Sequence, residues 1–261
     1  MPNVAELLKE AERRPLLGWD LSREGRITYA PPWDFEALVD PLMAASPDLL
    51  DMGTGGGEWL SRRPFPRGRT VATEGWLPNV PVARARLAPL RIGVVAVVGA
   101  PDNADQSGLT SLPALPFAGG AFHLIVNRHE SFVASEVFRL LAPGGRFVTQ
   151  QVGSGAGEPF RAMLGAPSPP AAASWNLGDA IRQVRASGLE LAETGEGAAL
   201  IRFADVGALA WYLVHVPWVM PEFSIARHRR ALEELHERGI PGLSQPLFWL
   251  AATRPAGATH Q

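Results

Sequence analysis

The 261-residue sequence contains no cysteine, which excludes disulfide bonds, thiolate metal sites and a cysteine nucleophile. It also lacks any apolar run near the ~20 residues of a membrane-spanning helix, the longest being 92–98. Long basic blocks are missing as well: no block of Lys and Arg stands out beyond Arg227, Arg229 and Arg230, and the formal net charge is −2. This balance argues against a dedicated nucleic-acid-binding protein.

Two further absences narrow the class of protein. The six histidines show no metal-ligand spacing, so we expect no metal site. The N-terminal segment 1–15 lacks the basic start and apolar core of a signal peptide. We therefore expect a cytoplasmic protein without a membrane anchor, either a monomer or a homodimer.

Apolar segments alternate with helical patterns along the chain, and 46% of the residues are hydrophobic, which is enough for a sizeable core. Continuous apolar strands between helices are typical of a parallel sheet covered on both faces. The predicted strands are 48–52, 70–73, 92–98, 122–126, 146–152, 189–194, 199–203 and 246–253. The predicted helices are 4–13, 34–43, 58–62, 78–87, 131–141, 177–187, 205–218 and 224–238.

The chain is predicted to form a single domain over 1–261. Asp34 and Asp205 are placed to cap helices, Gly239 is placed to end one, and 153–173 reads as a surface crossover. The expected parts are an N-terminal cap (1–46), a core (47–152) and a C-terminal half (153–261) with a lid insert at about 204–240.

The stretch LLDMGTGGGEWL (49–60) places a glycine-rich loop, Gly53–Gly57, after a predicted strand. Glycines permit positive φ and remove the Cβ atoms that would keep a ligand away from the backbone. Glu74 ends the next predicted strand, ~20 residues further on, where an acid can accept both hydroxyls of a ribose. The ligand is therefore expected to contain a ribose.

Three kinds of ligand compete for this loop. A phosphate loop needs Lys-Ser/Thr after its last glycine, but Glu58-Trp59 follows here. A dinucleotide fingerprint needs a glycine where Glu58 stands, and an acid at the start of the predicted helix 58–62 would repel a pyrophosphate. The third possibility is a nucleoside without phosphate. S-adenosylmethionine fits, since its ammonium tolerates a nearby carboxylate such as Asp51.

Four motifs resemble those of class I S-adenosylmethionine-dependent methyltransferases, most closely the ubiquinone/menaquinone-biosynthesis-like branch. They occur in the family's order: DMGTGGG (51–57), ATEGWLPNVPVARARL (72–87), LPFAGGAFHLIVNRHE (115–130) and EVFRLLAPGGRFV (136–148). The resemblance covers 47–153 best. It implies an α/β, Rossmann-like seven-stranded sheet with helices on both faces, an N-terminal helical cap and a helical insert before the last strand.

The resemblance also implies a cofactor-binding set. Asp102 is the expected contact to adenine, with Asp105 as the alternative. The set is Asp51, Gly53, Thr54, Gly55, Gly57, Glu74, Gly75, Trp76, Asn79, Asp102, Asn103, Asn127 and Arg128.

His129 and Glu130 leave the fourth strand at the face where a methyl acceptor would lie, so both are candidate catalytic residues. His129 could act as a general base, or it could only orient the loop or fix the cofactor, and the sequence leaves both open. Aromatic residues suggest a lid over an apolar acceptor pocket. The candidate substrate residues are Tyr29, Trp33, Gln150, Trp211, His215 and Trp218.

The resulting hypothesis is an enzyme that transfers a methyl group from S-adenosylmethionine to a small organic acceptor, at oxygen or nitrogen, leaving S-adenosylhomocysteine. Three alternatives stay open. They are an RNA methyltransferase, an S-adenosylmethionine-binding protein of the same fold without methyl transfer, and a nicotinamide oxidoreductase.

Overall fold

The computed structural model describes residues 3–67, 69–105, 114–168 and 174–257. Its α-helices are α1 (Val4–Arg13), α2 (Phe35–Ala45), α3 (Asn79–Leu87), α4 (Ala134–Leu140), α5 (Glu158–Leu164), α6 (Leu177–Ala186), α7 (Val206–His215) and α8 (Ile225–Arg238). Its strands are β1 (Ile27–Ala30), β2 (Leu49–Met52), β3 (Thr70–Glu74), β4 (Gly93–Ala96), β5 (Phe122–Arg128), β6 (Leu141–Val152), β7 (Glu190–Phe203) and β8 (Leu243–Thr253).

The strands form one sheet in the order β1-β7-β8-β6-β5-β2-β3-β4. The pairs β2–β3, β2–β5, β3–β4 and β5–β6 are parallel, whereas β1 runs antiparallel to β7 with Ile27 opposite Phe203. The predicted α/β class is confirmed. The described sheet has eight strands, whereas the resemblance implied seven. Strand β1 is a four-residue edge strand that was too short to show a periodicity in the sequence, and two of the eight strands predicted from the sequence form the single strand β7.

The described residues group into two compact units. The first comprises those within 1–32, 153–172 and 197–247, and the second those within 33–152, 173–196 and 248–261. The expectation of a single domain over 1–261 stays a prediction.

Both faces of the sheet are covered by helices in the second unit. Leu50 and Ile125 belong to a buried cluster that includes α4 and α6, whereas their neighbours Leu49 and Leu124 belong to a cluster that includes α2 and α3. Successive side chains of a strand point to opposite faces. The alternation therefore explains why these strands read as continuous apolar runs, and it confirms the prediction of helices on both faces.

A separate buried cluster holds the first unit together, where α1 packs against α7. Trp211 of α7 donates a hydrogen bond from Nε1 to the carbonyl of Arg14 at 2.8 Å. The buried Arg23 guanidinium lies 5.3 Å from the Trp211 ring centroid and pairs with Glu10 at 2.5 Å. No helix among the described residues is long and apolar enough to cross a membrane.

Local capping signals correctly marked several helix ends. Asp34 accepts a hydrogen bond from the N–H of Ala37 at the start of α2, and Asp205 accepts one from the N–H of Ala208 at the start of α7. Gly239, with φ +85°, ends α8. The two aspartate caps can be read from the sequence because each side chain and its backbone partner lie three residues apart.

Two predicted segments differ from the structure. The segment 153–173 was predicted as a crossover, but it contains α5, whose Phe160 and Leu164 are buried. Its composition misled the prediction because a proline is tolerated in the first turn and Gly165 ends the helix in the left-handed region. The strands predicted at 189–194 and 199–203 are the single strand β7.

The predicted helix at Glu58–Arg62 is also wrong. Only a single 3-10 turn, Leu60–Arg62, follows the glycine loop. Pro64 ends the segment before an α-helix can form.

Candidate active site

The glycine loop leaves β2 in a conformation that requires glycine at three positions. Gly53, Gly55 and Gly57 have φ values of +74°, +62° and +77°, a region that other residues enter only with strain. The N–H of Thr54 donates to the carbonyl of Thr73 at 2.9 Å, which ties the loop to β3.

Helix α3 holds the other end of the loop. Arg86 forms an ion pair with Glu58 at 2.5 Å and donates a hydrogen bond to the carbonyl oxygen of Gly56. Gly57 packs against α3 so closely that an added Cβ would lie 2.8 Å from Cγ of Leu87. The loop therefore keeps its shape through contacts from α3 as well as through its glycines.

The structure corrects the electrostatic argument about Glu58. Glu58 was expected at the positive end of a helix, but no α-helix begins there and Arg86 balances its charge. Because no α-helix begins at Glu58, its charge does not keep a pyrophosphate from the positive end of a helix. The missing fingerprint glycine at this position remains the sequence argument against a dinucleotide.

A cleft lies beside the loop at the carboxyl ends of β2, β3 and β4, where ligands bind in open α/β sheets. Among the described residues that line the cleft, the ones with ionisable side chains are Glu130 and Glu136, and none is basic. Arg139 balances the charge of Glu136 at 2.6 Å, so Glu130 is the carboxylate of this lining that a cationic ligand could pair with. The lining is Met52, Gly53, Thr73, Gly75, Val97, Val98, Gly99, Ala100, Pro101, Leu115, Glu130, Ser131, Val133 and Glu136.

Two buried acids stand at the strand ends that lead into the cleft. Burial raises the pKa of Asp51 to about 6, with Glu74 adding to the rise and Arg128 opposing it. Burial also raises the pKa of Glu74, although backbone N–H groups of Trp76 and Gly55 that donate to its carboxylate lower it. The Trp76 bond is 2.7 Å long. Glu74 is therefore held in place at the end of β3.

Glu130 lies directly on the first glycine of the loop. A Cβ added to Gly53 would lie 2.4 Å from Cβ of Glu130 and 2.6 Å from its Cγ. Oε1 of Glu130 lies 3.5 Å from the corresponding Cβ position of Gly99 and 3.8 Å from that of Gly75. Burial and the nearby carboxylate of Glu74 raise the pKa of Glu130 to about 7. Its carboxyl group thus reaches across the strand ends into the cleft.

His129 is fixed in a left-handed conformation by residues distant in sequence. Its φ is +64°, and its backbone N–H donates to the carbonyl of Gln150 at 2.8 Å. Trp33 donates from Nε1 to Oε1 of Gln150 at 2.7 Å. An indole N–H can only donate, so the Gln150 atom that faces Trp33 is the amide oxygen. The amide nitrogen Nε2 of Gln150 therefore faces His129 and donates to its Nε2 at 2.9 Å.

This hydrogen-bond chain defines the state of the imidazole. Nε2 of His129 accepts a hydrogen bond, so in the neutral ring the proton is on Nδ1. Burial, together with the charge of Arg128, lowers the pKa of His129 to about 3. A neutral, buried and hydrogen-bonded ring is what we would expect if His129 orients the loop instead of acting as a general base. The catalytic roles of His129 and Glu130 stay predictions.

Buried amides support the same strand ends from behind. Nε2 of Gln151 donates to Oδ1 of Asn127 at 2.7 Å and to the carbonyl of Glu130 at 3.0 Å. Asn103 donates from Nδ2 to Oε1 of Gln151 at 3.1 Å, and its own Oδ1 accepts from the N–H of Phe132 at 3.0 Å. Asn103 and Asn127 therefore position the residues around the cleft.

Other predicted cofactor residues lie outside the cleft lining. Asp102 is exposed, and its Oδ1 accepts from the N–H of Ala104 at 2.8 Å. The side chain of Asp105 lies outside the described part of the structure. Asn79 is buried in the first turn of α3, and Trp76 is 47% exposed. The guanidinium carbon of Arg128 lies 5.6 Å from the centroid of the Trp59 ring.

One wall of the cleft was not predicted from the sequence. Leu115 lines it and is held because its N–H donates to Oε1 of Glu136 at 2.7 Å. Arg139 pairs with the same carboxylate at 2.6 Å and donates to the carbonyls of Leu115 and Phe117. A Glu136–Arg139 pair three residues apart was visible in the sequence, but its role depends on a partner about 20 residues away.

The remaining candidate substrate residues belong to the first unit. Trp211 is buried, and His215 donates from Nδ1 to its carbonyl at 2.8 Å. Trp218 is 63% exposed and stacks on Trp19 with ring centroids 5.6 Å apart. Tyr29 lies in β1 opposite Ile201. Their contact with a substrate stays a prediction. Within the described residues, no group of three or more histidine, aspartate or glutamate side chains is arranged to hold a metal ion.

No protein-family model and no curated protein sequence matches this chain. Solved structures do match. A protein assigned as a methyltransferase from Bacillus halodurans C-125 shares 14% identity over 91% of this chain and 100% of its own, with a TM-score of 0.53. The [4+2]-cyclase SpnF shares 16% identity over 97% and 93%, with a TM-score of 0.51. The YcgJ protein from Bacillus subtilis shares 15% identity over 85% and 98%, with a TM-score of 0.54. At these identities the likeness concerns the fold, and this chain has the fold of the class I S-adenosylmethionine-dependent methyltransferases.

Proposed function

We propose that this protein binds S-adenosylmethionine and transfers its methyl group to a small organic acceptor. The observation that carries the proposal is the cleft at the strand ends, whose titratable lining is acidic and which has Glu74 fixed beside it. A ribose offers two hydroxyl donors to such a carboxylate, and a sulfonium and an ammonium suit an acidic cleft. The residues present fit this cofactor better than one with a pyrophosphate.

The cofactor, when bound, supplies a methyl group on a sulfonium that is already an activated leaving group. The chain's own residues bind and align. Glu74 would accept hydrogen bonds from the ribose, and Gly53, Gly75 and Gly99 line the cleft in which the cofactor would bind. The Trp33–Gln150–His129 chain holds the ends of β5 and β6 in one arrangement. Such fixed positioning is the main contribution a protein can make to a transfer between two bound reactants.

Binding is tested by titration calorimetry with S-adenosylmethionine, S-adenosylhomocysteine and NAD. The first two should bind and NAD should not. Glu74→Ala should weaken binding of both by roughly tenfold or more, because the ribose loses a charged acceptor. Glu193→Ala, at an exposed position of β7, is the matched control and should bind like the wild type. NAD binding in place of the other two would contradict the proposal.

Methyl transfer is tested separately with methyl-labelled cofactor and a panel of small hydroxyl and amine compounds. Label on any acceptor supports the transferase. One observation favours a second function, a cofactor-binding protein without methyl transfer, because Nε2 of His129 is engaged by Gln150 instead of being free to take a proton. Tight cofactor binding without label transfer across the panel would support that second function.

A further inference from the structure

The carboxyl group of Glu130 differs from the other acids of the cleft in what surrounds it. Glu136, on the same lining, is paired with Arg139 at 2.6 Å and accepts from the N–H of Leu115. Glu74 accepts from backbone N–H groups of its own turn and of Gly55. Among the described residues, no hydrogen bond or ion pair reaches the Glu130 carboxylate. Its charge therefore has no compensating partner within the described protein.

The position of this carboxyl group is set by packing. The side chain rests on Gly53, and its Oε1 lies 3.5 Å from the position that a Cβ of Gly99 would take and 3.8 Å from that of Gly75. The three glycines are at the ends of β2, β3 and β4, and all three line the cleft. The absence of a Cβ at Gly53 lets this side chain pack on the loop, and its carboxylate reaches from the end of β5 into the space where the ligand is proposed to bind.

We propose that Glu130 is a specificity residue whose carboxylate makes the cleft favour the charged sulfonium cofactor over its uncharged thioether product. This inference rests on the proposed function. The two molecules differ by one methyl group and one positive charge, and an uncompensated carboxylate in a partly desolvated cleft acts on that charge. Product release would be promoted by the same group, because the attraction disappears when the methyl group leaves.

The charged groups that face Glu130 from each side support this role. Glu74 from β3 and Glu136 from α4 are acids. Arg139 balances the charge of Glu136. The charges of Glu74 and Arg128 act on Asp51 in β2, and Arg128 also acts on the neutral His129 that precedes Glu130. The carboxylate of Glu74 disfavours ionisation of Glu130. A cationic ligand relieves that repulsion, so the preference for the charged ligand should grow as Glu130 ionises between pH 6 and pH 8.

The test compares the dissociation constants of S-adenosylmethionine and S-adenosylhomocysteine by calorimetry for the wild type, Glu130→Gln and the control Glu193→Gln, at pH 6 and pH 8. At pH 8 the ratio of the two constants should favour S-adenosylmethionine by roughly tenfold more in the wild type than in Glu130→Gln. At pH 6 the two proteins should converge. Titration of the ligand's own amino group affects both proteins alike and cancels in the comparison.

The outcomes separate the two proposals. Binding of both ligands with the same ratio in wild type and Glu130→Gln at pH 8 overturns the role of Glu130 and leaves the proposed function standing. Binding of neither ligand to the wild type overturns both. If Glu130→Gln does not fold, Glu130→Ala takes its place in the same comparison, and a ratio equal to that of the wild type at pH 8 again overturns the role of Glu130.

Discussion

Replacing Gly53 by alanine should destabilise the second unit more than the same change at another glycine with positive φ. Two effects add at this position. An alanine at φ +74° is strained by about 1–2 kcal/mol. Its Cβ would also lie 2.4 Å from Cβ of Glu130, and such overpacking costs about 1–3 kcal/mol. The free energy of unfolding should therefore fall by about 2–5 kcal/mol.

Gly144 is the matched control. It lies in the same unit at φ +77°, and a Cβ added there meets no atom within 4 Å. Gly144→Ala should therefore show only the backbone strain, about 1–2 kcal/mol. Urea denaturation followed by tryptophan fluorescence compares the two variants in the same unit. Equal losses in the two variants would refute the close packing of Glu130 on Gly53.

A double-mutant cycle identifies the atoms responsible. Glu130→Gly removes Cβ, Cγ and Cδ, the three atoms nearest to the added methyl group, and should recover most of the overpacking loss of Gly53→Ala. Glu130→Ala keeps Cβ, the nearest atom, and should recover much less. Coupling energies of this kind are measurable for residues in direct contact. Full recovery with Glu130→Ala would place the clash at the carboxyl end of the side chain instead.

Three further outcomes are expected. The folded state raises the pKa of Glu130 from 4.5 to about 7, so it binds more protons than the unfolded state between these values. The wild type should lose up to about 3 kcal/mol relative to Glu130→Gln between pH 4 and pH 8, and a constant difference in urea denaturation would contradict this. His129, with its pKa lowered to about 3, should show no ring protonation by NMR above pH 5; a midpoint near 6.5 would be inconsistent with the buried, hydrogen-bonded ring. Arg86→Gln should lower the free energy of unfolding by about 1 kcal/mol, because the partly exposed pair with Glu58 is lost, and should also weaken cofactor binding. The exposed Arg62→Gln serves as its control, and equal effects would argue against the support of the loop by α3.

Short-range features of this protein could be read from the sequence. Asp34, Asp205 and Gly239 mark helix ends through partners three or four residues away. The apolar runs of β2 and β5 predicted a sheet buried on both faces, which the two clusters on opposite sides confirm. The glycines of the loop do have the positive φ that their spacing suggested.

Predictions were wrong where they relied on composition or on a local rule although a tertiary contact decides the structure. Segment 153–173 looked like a surface crossover, but the first unit buries one face of α5. Glu58 looked like an acid on a helix dipole, but the helix does not form and Arg86, 28 residues later, neutralises it. Neither partner is visible in a sequence window.

In the candidate site, too, some features follow from local sequence and others from tertiary contacts. The sequence by itself determined the sheet, the glycine loop and the acid after β3, because each is encoded by a pattern of neighbouring residues. Tertiary structure alone decided how the charged and polar groups are used. It placed Glu130 on Gly53, connected Trp33 through Gln150 to His129, and built the missed wall from Leu115 and Glu136. These contacts join residues about 20 to 120 positions apart, and their pKa shifts arise from burial, which only the folded chain creates.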